Sequence, residues 1–150
     1  MEGMAIWIPL AVGASPMALT ILIHTLAVTG TVHFVRHEVR VGRAGAGFWI
    51  DMAIVVAAIA LALAAHLIEI AVWAVLFMIC AEFPTFAMAS YHSAVNYTTL
   101  GYGDIVMTAS WRFLGPLEAA NGMLLFGVST ALVFAVIQRV VQARFADFRA

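Results

Sequence analysis

From Phe48 to Cys80 the chain offers water almost nothing: Asp51, His66 and Glu69 are its only acidic or imidazole side chains there, and no arginine interrupts it. A membrane-spanning helix needs about 20 largely apolar residues, so this run can cross a bilayer with length left to tilt or overshoot. Two further stretches are of the same kind. One runs from near Ile6 to Val35, interrupted early by Pro9, Gly13 and Pro16, and the other from Pro116 to about Val140. Apolar residues make up 65% of the chain and charged residues 10%, and mean hydropathy is +1.04. A soluble domain carries about 45–50% and about 25%, so the solvent of this chain is lipid. Its hydrophobicity excludes disorder. A net charge of -1 with short, scattered basic runs excludes nucleic-acid binding. The single cysteine, Cys80, excludes an internal disulfide and any multi-cysteine metal site.

The first apolar stretch is too long for the core of a signal peptide, and Glu2 stands where such a peptide is basic. It reads as a permanent span. Between the second and third spans lies a segment of another kind. Residues 84–97 begin at Pro84 and would form a helix of about 20 Å, too short to cross. Thr98-Thr99-Leu100-Gly101-Tyr102-Gly103-Asp104 follows, and two glycines in three residues cannot continue that helix. A short helix plus irregular backbone between two full spans predicts a re-entrant loop. Such backbone is tolerated at membrane depth only when it is buried in protein or lines a water-filled cavity. The sequence therefore points to a pore.

Arginines orient the chain. There is no lysine; Arg36, Arg40 and Arg43 cluster after the first span, Arg139, Arg144 and Arg149 after the third, and only Arg112 lies on the other side. The positive-inside rule puts the first link and the C-terminus in the cytoplasm. The N-terminus and the re-entrant loop are then outside, which fits three spans in a cell inner (plasma) membrane.

The string Thr98-Thr99-Leu100-Gly101-Tyr102-Gly103-Asp104 resembles the selectivity-filter signature of the tetrameric potassium channels, with Leu100 where valine is usual. Gly122, Phe126-Gly127 and Ser129-Thr130 are similar to the inner helix of the simple bacterial members, where a hinge glycine and a Phe-Gly pair occur. The resemblance covers roughly residues 91–135. It implies an all-α membrane protein assembled as a four-fold homotetramer around a central pore. The expected divisions are an N-terminal helix and basic link over 1–46 and a pore domain over 47–150. Within the latter come an outer helix at 48–80, a pore helix at 84–97, a filter at 98–104 and an inner helix at 116–140. It also implies K+ bound at Thr99, Leu100, Gly101 and Tyr102, no other cofactor and no covalent chemistry.

The physical reasons stand beside the likeness. A ring of backbone carbonyls can replace the hydration shell of K+. Aiming successive carbonyls at one axis needs angles that glycine adopts cheaply, which suits Gly101 and Gly103. Thr99 can add a ring of hydroxyls, Tyr102 can pack outward as a spacer, and Asp104 can form an acidic ring that concentrates cations.

Residues around the filter depart from the family pattern. Tyr91 takes the place of an aromatic that hydrogen-bonds the filter aspartate, and a Tyr91–Asp104 bond is expected. His92 stands where a second tryptophan is common, and Val95 where some members carry a glutamate. Glu118 and Asn121 share one face of the third span. Glu118 is expected either to buttress the pore helix, through Asn96 or Asn121, or to sit solvated at the outer interface. Gly122 could let the inner helix bend, or admit the pore helix closely. Phe126 could narrow the cavity or serve as a core contact.

His24, His66 and Glu69 are the buried-span groups that chemistry could use, as a metal or haem site or a proton-sensitive cluster. The simpler reading is that His66 and Glu69 hydrogen-bond each other or the first span and so hold the outer helix to the bundle. Asp51 is expected to pair with an arginine of its layer. No span carries the arginine series a voltage sensor needs. Besides potassium-selective conduction, the sequence leaves open a weakly selective cation channel, a non-conducting subunit of a larger assembly, and a histidine–glutamate metal or haem protein.

Overall fold

The computed structural model describes residues 2–145. The described chain is helical, without strands: α1 (Glu2–Arg40), α2 (Phe48–Ile79), α3 (Phe86–Tyr97) and α4 (Leu114–Arg144). α1, α2 and α4 are each long and apolar enough to span a membrane, and α3 is the short helix between the last two.

Every expected helix forms, with shifted ends that have local causes. α1 continues through Pro9 and Pro16 rather than breaking. Pro16 cannot donate to the Val12 carbonyl, and the Ser15 hydroxyl takes over at 2.9 Å. α3 begins at Phe86, two residues after Pro84, because Thr85 is its cap and accepts from the Met88 amide at 3.3 Å. α4 begins at Leu114, so Pro116 falls in its first turn, where a missing N–H leaves no bond unmade.

α1, α2 and α3 end in the same way. The residue after the cap is left-handed and two amides fold back onto the last turn. In α1 that residue is Gly42, with Arg43 N–H donating to the Glu38 carbonyl. In α2 it is Ala81, with Glu82 N–H donating to Phe77. In α3 it is Thr99, with Thr99 N–H donating to Asn96 at 2.8 Å and Leu100 N–H to Val95 at 3.0 Å. The filter string thus starts as a helix cap.

Among the described residues two compact units form: one takes the chain up to residue 23 and residues 66–126, the other residues 24–65 and the chain from 127 onward. Each takes part of α1, α2 and α4, because helices this long pack over their whole length rather than by order in the chain. The first unit holds the re-entrant segment around a core of Trp73, Phe77, Phe83, Tyr97, Met107 and Leu114. Gly13 admits α4 closely there: a Cβ on it would lie 2.9 Å from Leu117 Cδ1. The second unit packs Val35, Ile54, Ala58, Val136 and Val140. In lipid such packing rests on close van der Waals fit rather than on escape from water.

Candidate pore and selectivity filter

The site begins where α3 stops. Thr99, Gly101 and Gly103 have φ of 59°, 61° and 71°, while Leu100 and Tyr102 between them do not enter the left-handed region. The hand of the backbone therefore alternates residue by residue through the string. Two of the three left-handed positions are glycine, as expected; Thr99, the third, carries a left-handed cost of roughly 1–2 kcal/mol. The Val95 carbonyl accepts from both Leu100 and Gly101, so α3 holds the start of the Gly-Tyr-Gly segment through its backbone.

The Asp104 end is held by α3 side chains. The Tyr91 hydroxyl donates to Asp104 Oδ2 at 2.7 Å. That bond holds the Asp104 carboxyl below the usual carboxylate range and raises the phenol above its own. His92 is a two-ended tether. Its Nδ1 donates to the Ile105 carbonyl at 3.0 Å and its Nε2 accepts from the Asn96 amide at 2.7 Å, which assigns the neutral Nδ1–H tautomer. Burial against Phe83 and Phe77 lowers its affinity for a second proton. Beyond Asp104, the Thr108 amide and hydroxyl both donate to the Glu82 carboxylate, at 2.7 and 2.6 Å, tying the returning loop to the end of α2. A cavity of about 400 Å³ lies among α3, the filter and the start of α4, lined in part by His92, Asn96, Gly101, Gly103 and Arg112.

The Thr98 end is held by buried groups. Glu118 is fully buried, which excludes the solvated alternative. Its link to α3 runs through Ser93: Ser93 Oγ lies 2.5 Å from Glu118 Oε1 and 2.8 Å from the Ile70 carbonyl, so one hydroxyl joins α2, α3 and α4. Asn121 does not mediate that link. It donates to Thr20 Oγ1 at 2.7 Å and fastens α4 to α1. Tyr97, the last residue of α3, donates its hydroxyl to Glu69, and His66 Nδ1 lies 3.1 Å from Glu69 Oε2 and 3.0 Å from the Tyr97 hydroxyl. Beneath Tyr97 is Gly122, where any Cβ would collide with the Tyr97 carbonyl. α4 runs unbroken through this glycine, whose absent side chain makes room for the pore helix. Phe126 packs edge-on against Tyr97 and stacks on His66 at 4.1 Å.

His66 and Glu69 thus share a network with Tyr97. His24 Nε2 lies 3.3 Å from Ser129 Oγ. Asp51 pairs with Arg144 at 2.8 Å. Sequence reasoning missed Ser93, Tyr97, Thr20, Glu82 and Thr108. Tyr97 alone carried a signal, as a polar-tipped aromatic at the end of an intramembrane helix; the others lie far in sequence from their partners.

A family model described as "Ion channel" matches residues 63–139, just over half of the chain. The chain belongs to the ion channel family, of the potassium-channel type. The matched region of the channel runs from the middle of α2 to near the end of α4 and leaves α1 outside. Neither a curated protein nor a solved structure matches the channel.

Proposed function

We propose that the channel conducts K+ passively and selectively, as a homotetramer whose four filter strings line one axis. The observation that carries this reading is the alternation of hand at Thr99, Gly101 and Gly103. In a regular strand successive carbonyls point to opposite sides; a backbone alternating in hand can turn them to one side, as carbonyl rings require. K+ then sits among the carbonyls of Thr99, Leu100, Gly101 and Tyr102. The C-terminal end of α3 aims its negative dipole end at the inner mouth, and four copies of Asp104 gather cations at the outer one. Leu100 and Tyr102 are 54% and 67% exposed in the single chain, surface that neighbouring subunits would cover. The Ser93–Glu118 and Tyr97–Glu69 links are assigned to holding the filter in register. The arginine distribution supports a cytoplasmic C-terminus and an external N-terminus.

The test is cation flux into liposomes holding the purified channel, with K+ and Na+ in parallel and barium as blocker. Barium-sensitive flux far higher for K+ than for Na+ is expected. Equal flux of the two ions would overturn selectivity and leave a general cation channel; a purified protein that is not tetrameric would overturn the assembly.

A further inference from the structure

The second unit contains a groove apart from the Gly-Tyr-Gly segment. It lies between α1 and α4 near their C-terminal ends, has a volume of about 170 Å³, and is lined by Val32, Val35, Leu132 and Val136, among other apolar groups, with Arg36 and Arg139. Val35 and Val136 are nearly fully buried, so they form its floor, and both arginines are exposed. One guanidinium comes from each helix, and between them the surface is hydrocarbon.

Charge is unbalanced here. The acids of this unit's described residues are Glu38 and Asp51, and each is taken by an arginine: Arg43 Nε lies 2.8 Å from Glu38 Oε2 and Arg144 Nη2 2.8 Å from Asp51 Oδ2. Arg36 and Arg139 have no carboxylate partner among the described residues. Both helices are spans, and the arginines stand near their C-terminal ends, Arg36 before the last turn of α1, which ends at Arg40, and Arg139 before that of α4, which ends at Arg144. A long arginine stem lies along apolar surface while its head reaches the interface. Basic pockets between spans at a membrane interface select anionic headgroups.

We infer that this groove binds an anionic phospholipid, with an acyl chain on the valine floor and the headgroup phosphate between Arg36 and Arg139. Two surplus cations and a hydrocarbon floor fit a molecule that is anionic at one end and apolar at the other. A zwitterionic lipid offers the same phosphate with its charge cancelled. A free phosphate offers no tail.

Native mass spectrometry of the detergent-purified full-length channel tests this, with phosphatidylglycerol and phosphatidylcholine of equal chain length added separately. Each interfacial arginine contributes about 1 kcal/mol toward an anionic lipid, so two give roughly a thirty-fold preference for phosphatidylglycerol. Arg36→Gln with Arg139→Gln removes that preference, Arg36→Lys with Arg139→Lys keeps most of it, and Arg112→Gln, outside the groove, leaves it unchanged. Matched thermal unfolding of the variants separates lost binding from lost folding. Equal retention of the two lipids by the wild-type channel would overturn the assignment. So would phosphatidylglycerol retained undiminished by the glutamine pair, or displaced by millimolar inorganic phosphate, since the last would mean the tail contributes nothing.

Discussion

The two compact units solve the same problem, holding helices together in lipid, with different materials. In the unit that contains the filter, α1, α2, α3 and α4 are joined by buried polar bonds: Ser93 to Glu118 and Ile70, Tyr97 to Glu69, Asn121 to Thr20. In the other, the packing is mostly Val, Ile, Leu and Ala with one buried polar contact from His24 to Ser129, and the two ion pairs of its described residues lie toward the helix ends, with arginines that are 56% and 35% exposed. The difference follows from the backbone. A spanning helix satisfies its own N–H and C=O groups and needs only close fit, whereas re-entrant, irregular backbone must be positioned by bonds from outside itself. Buried polar bonds therefore gather around the short helix α3, while Asn121–Thr20 and His24–Ser129 join one span to another.

That contrast can be broken most sharply at Gly122. Alanine there would drive a Cβ into the Tyr97 carbonyl. A loss of about 3 kcal/mol is expected, the upper range for overpacking, seen as a lowered midpoint of thermal unfolding in detergent. An unchanged midpoint would mean that α3 is not fixed against α4. Next comes Tyr97→Phe, which removes the donor to buried Glu69 and should cost about 2 kcal/mol, with the ratio of K+ to Na+ flux falling as well. If the midpoint falls but the flux ratio does not, the network holds the fold without setting the filter.

In the second unit Arg144→Gln removes a rim ion pair, and at most about 1 kcal/mol is expected. A loss as large as that of Tyr97→Phe would erase the proposed distinction between the units. The smallest effect on stability, but not on conduction, is expected at the outer mouth. Tyr91→Phe should leave the unfolding midpoint nearly unchanged and lower the flux ratio, because the lost bond positions Asp104 at the exposed end of the filter.

His92 adds a pH dependence. Its folded-state proton affinity is lowered by burial, so the unfolded chain binds the proton first. Its stabilising contribution is complete above about pH 6.5 and declines as pH falls below that value. His92→Phe should flatten this part of the profile of unfolding midpoint against pH; a profile unaltered by the substitution would show that the tether contributes little.

Much of this could be read before any coordinates. Run lengths gave three spans, and a helix too short to cross, followed by Gly-Tyr-Gly, gave the re-entrant segment. The family resemblance, by matching Tyr91 to an aromatic that bonds the aspartate, implied the Tyr91–Asp104 bond, which links two ends of one local loop. The partners of Glu118 and Asn121 were not legible in the same way. Both lie on one α4 face, yet one reaches α3 and the other α1. Which helix stands opposite each turn depends on packing over distances of up to 101 residues along the chain. Nor was Gly122 decided by spacing: as a glycine in a span it suited a hinge or a close approach, and only the Tyr97 carbonyl against it distinguishes them.

Sequence alone determined what is set by solvent and by local backbone chemistry: the lipid environment, the number of spans, the place where helix gives way to filter, and the glycines that allow left-handed turns. Tertiary structure decided what depends on which surfaces meet. It made Thr99 a left-handed helix cap, buried Glu118 beside Ser93, and put Tyr97 between Glu69 and Gly122. Hydrophobic run length is a property of one segment, whereas a buried polar bond belongs to two segments and exists only once both are packed.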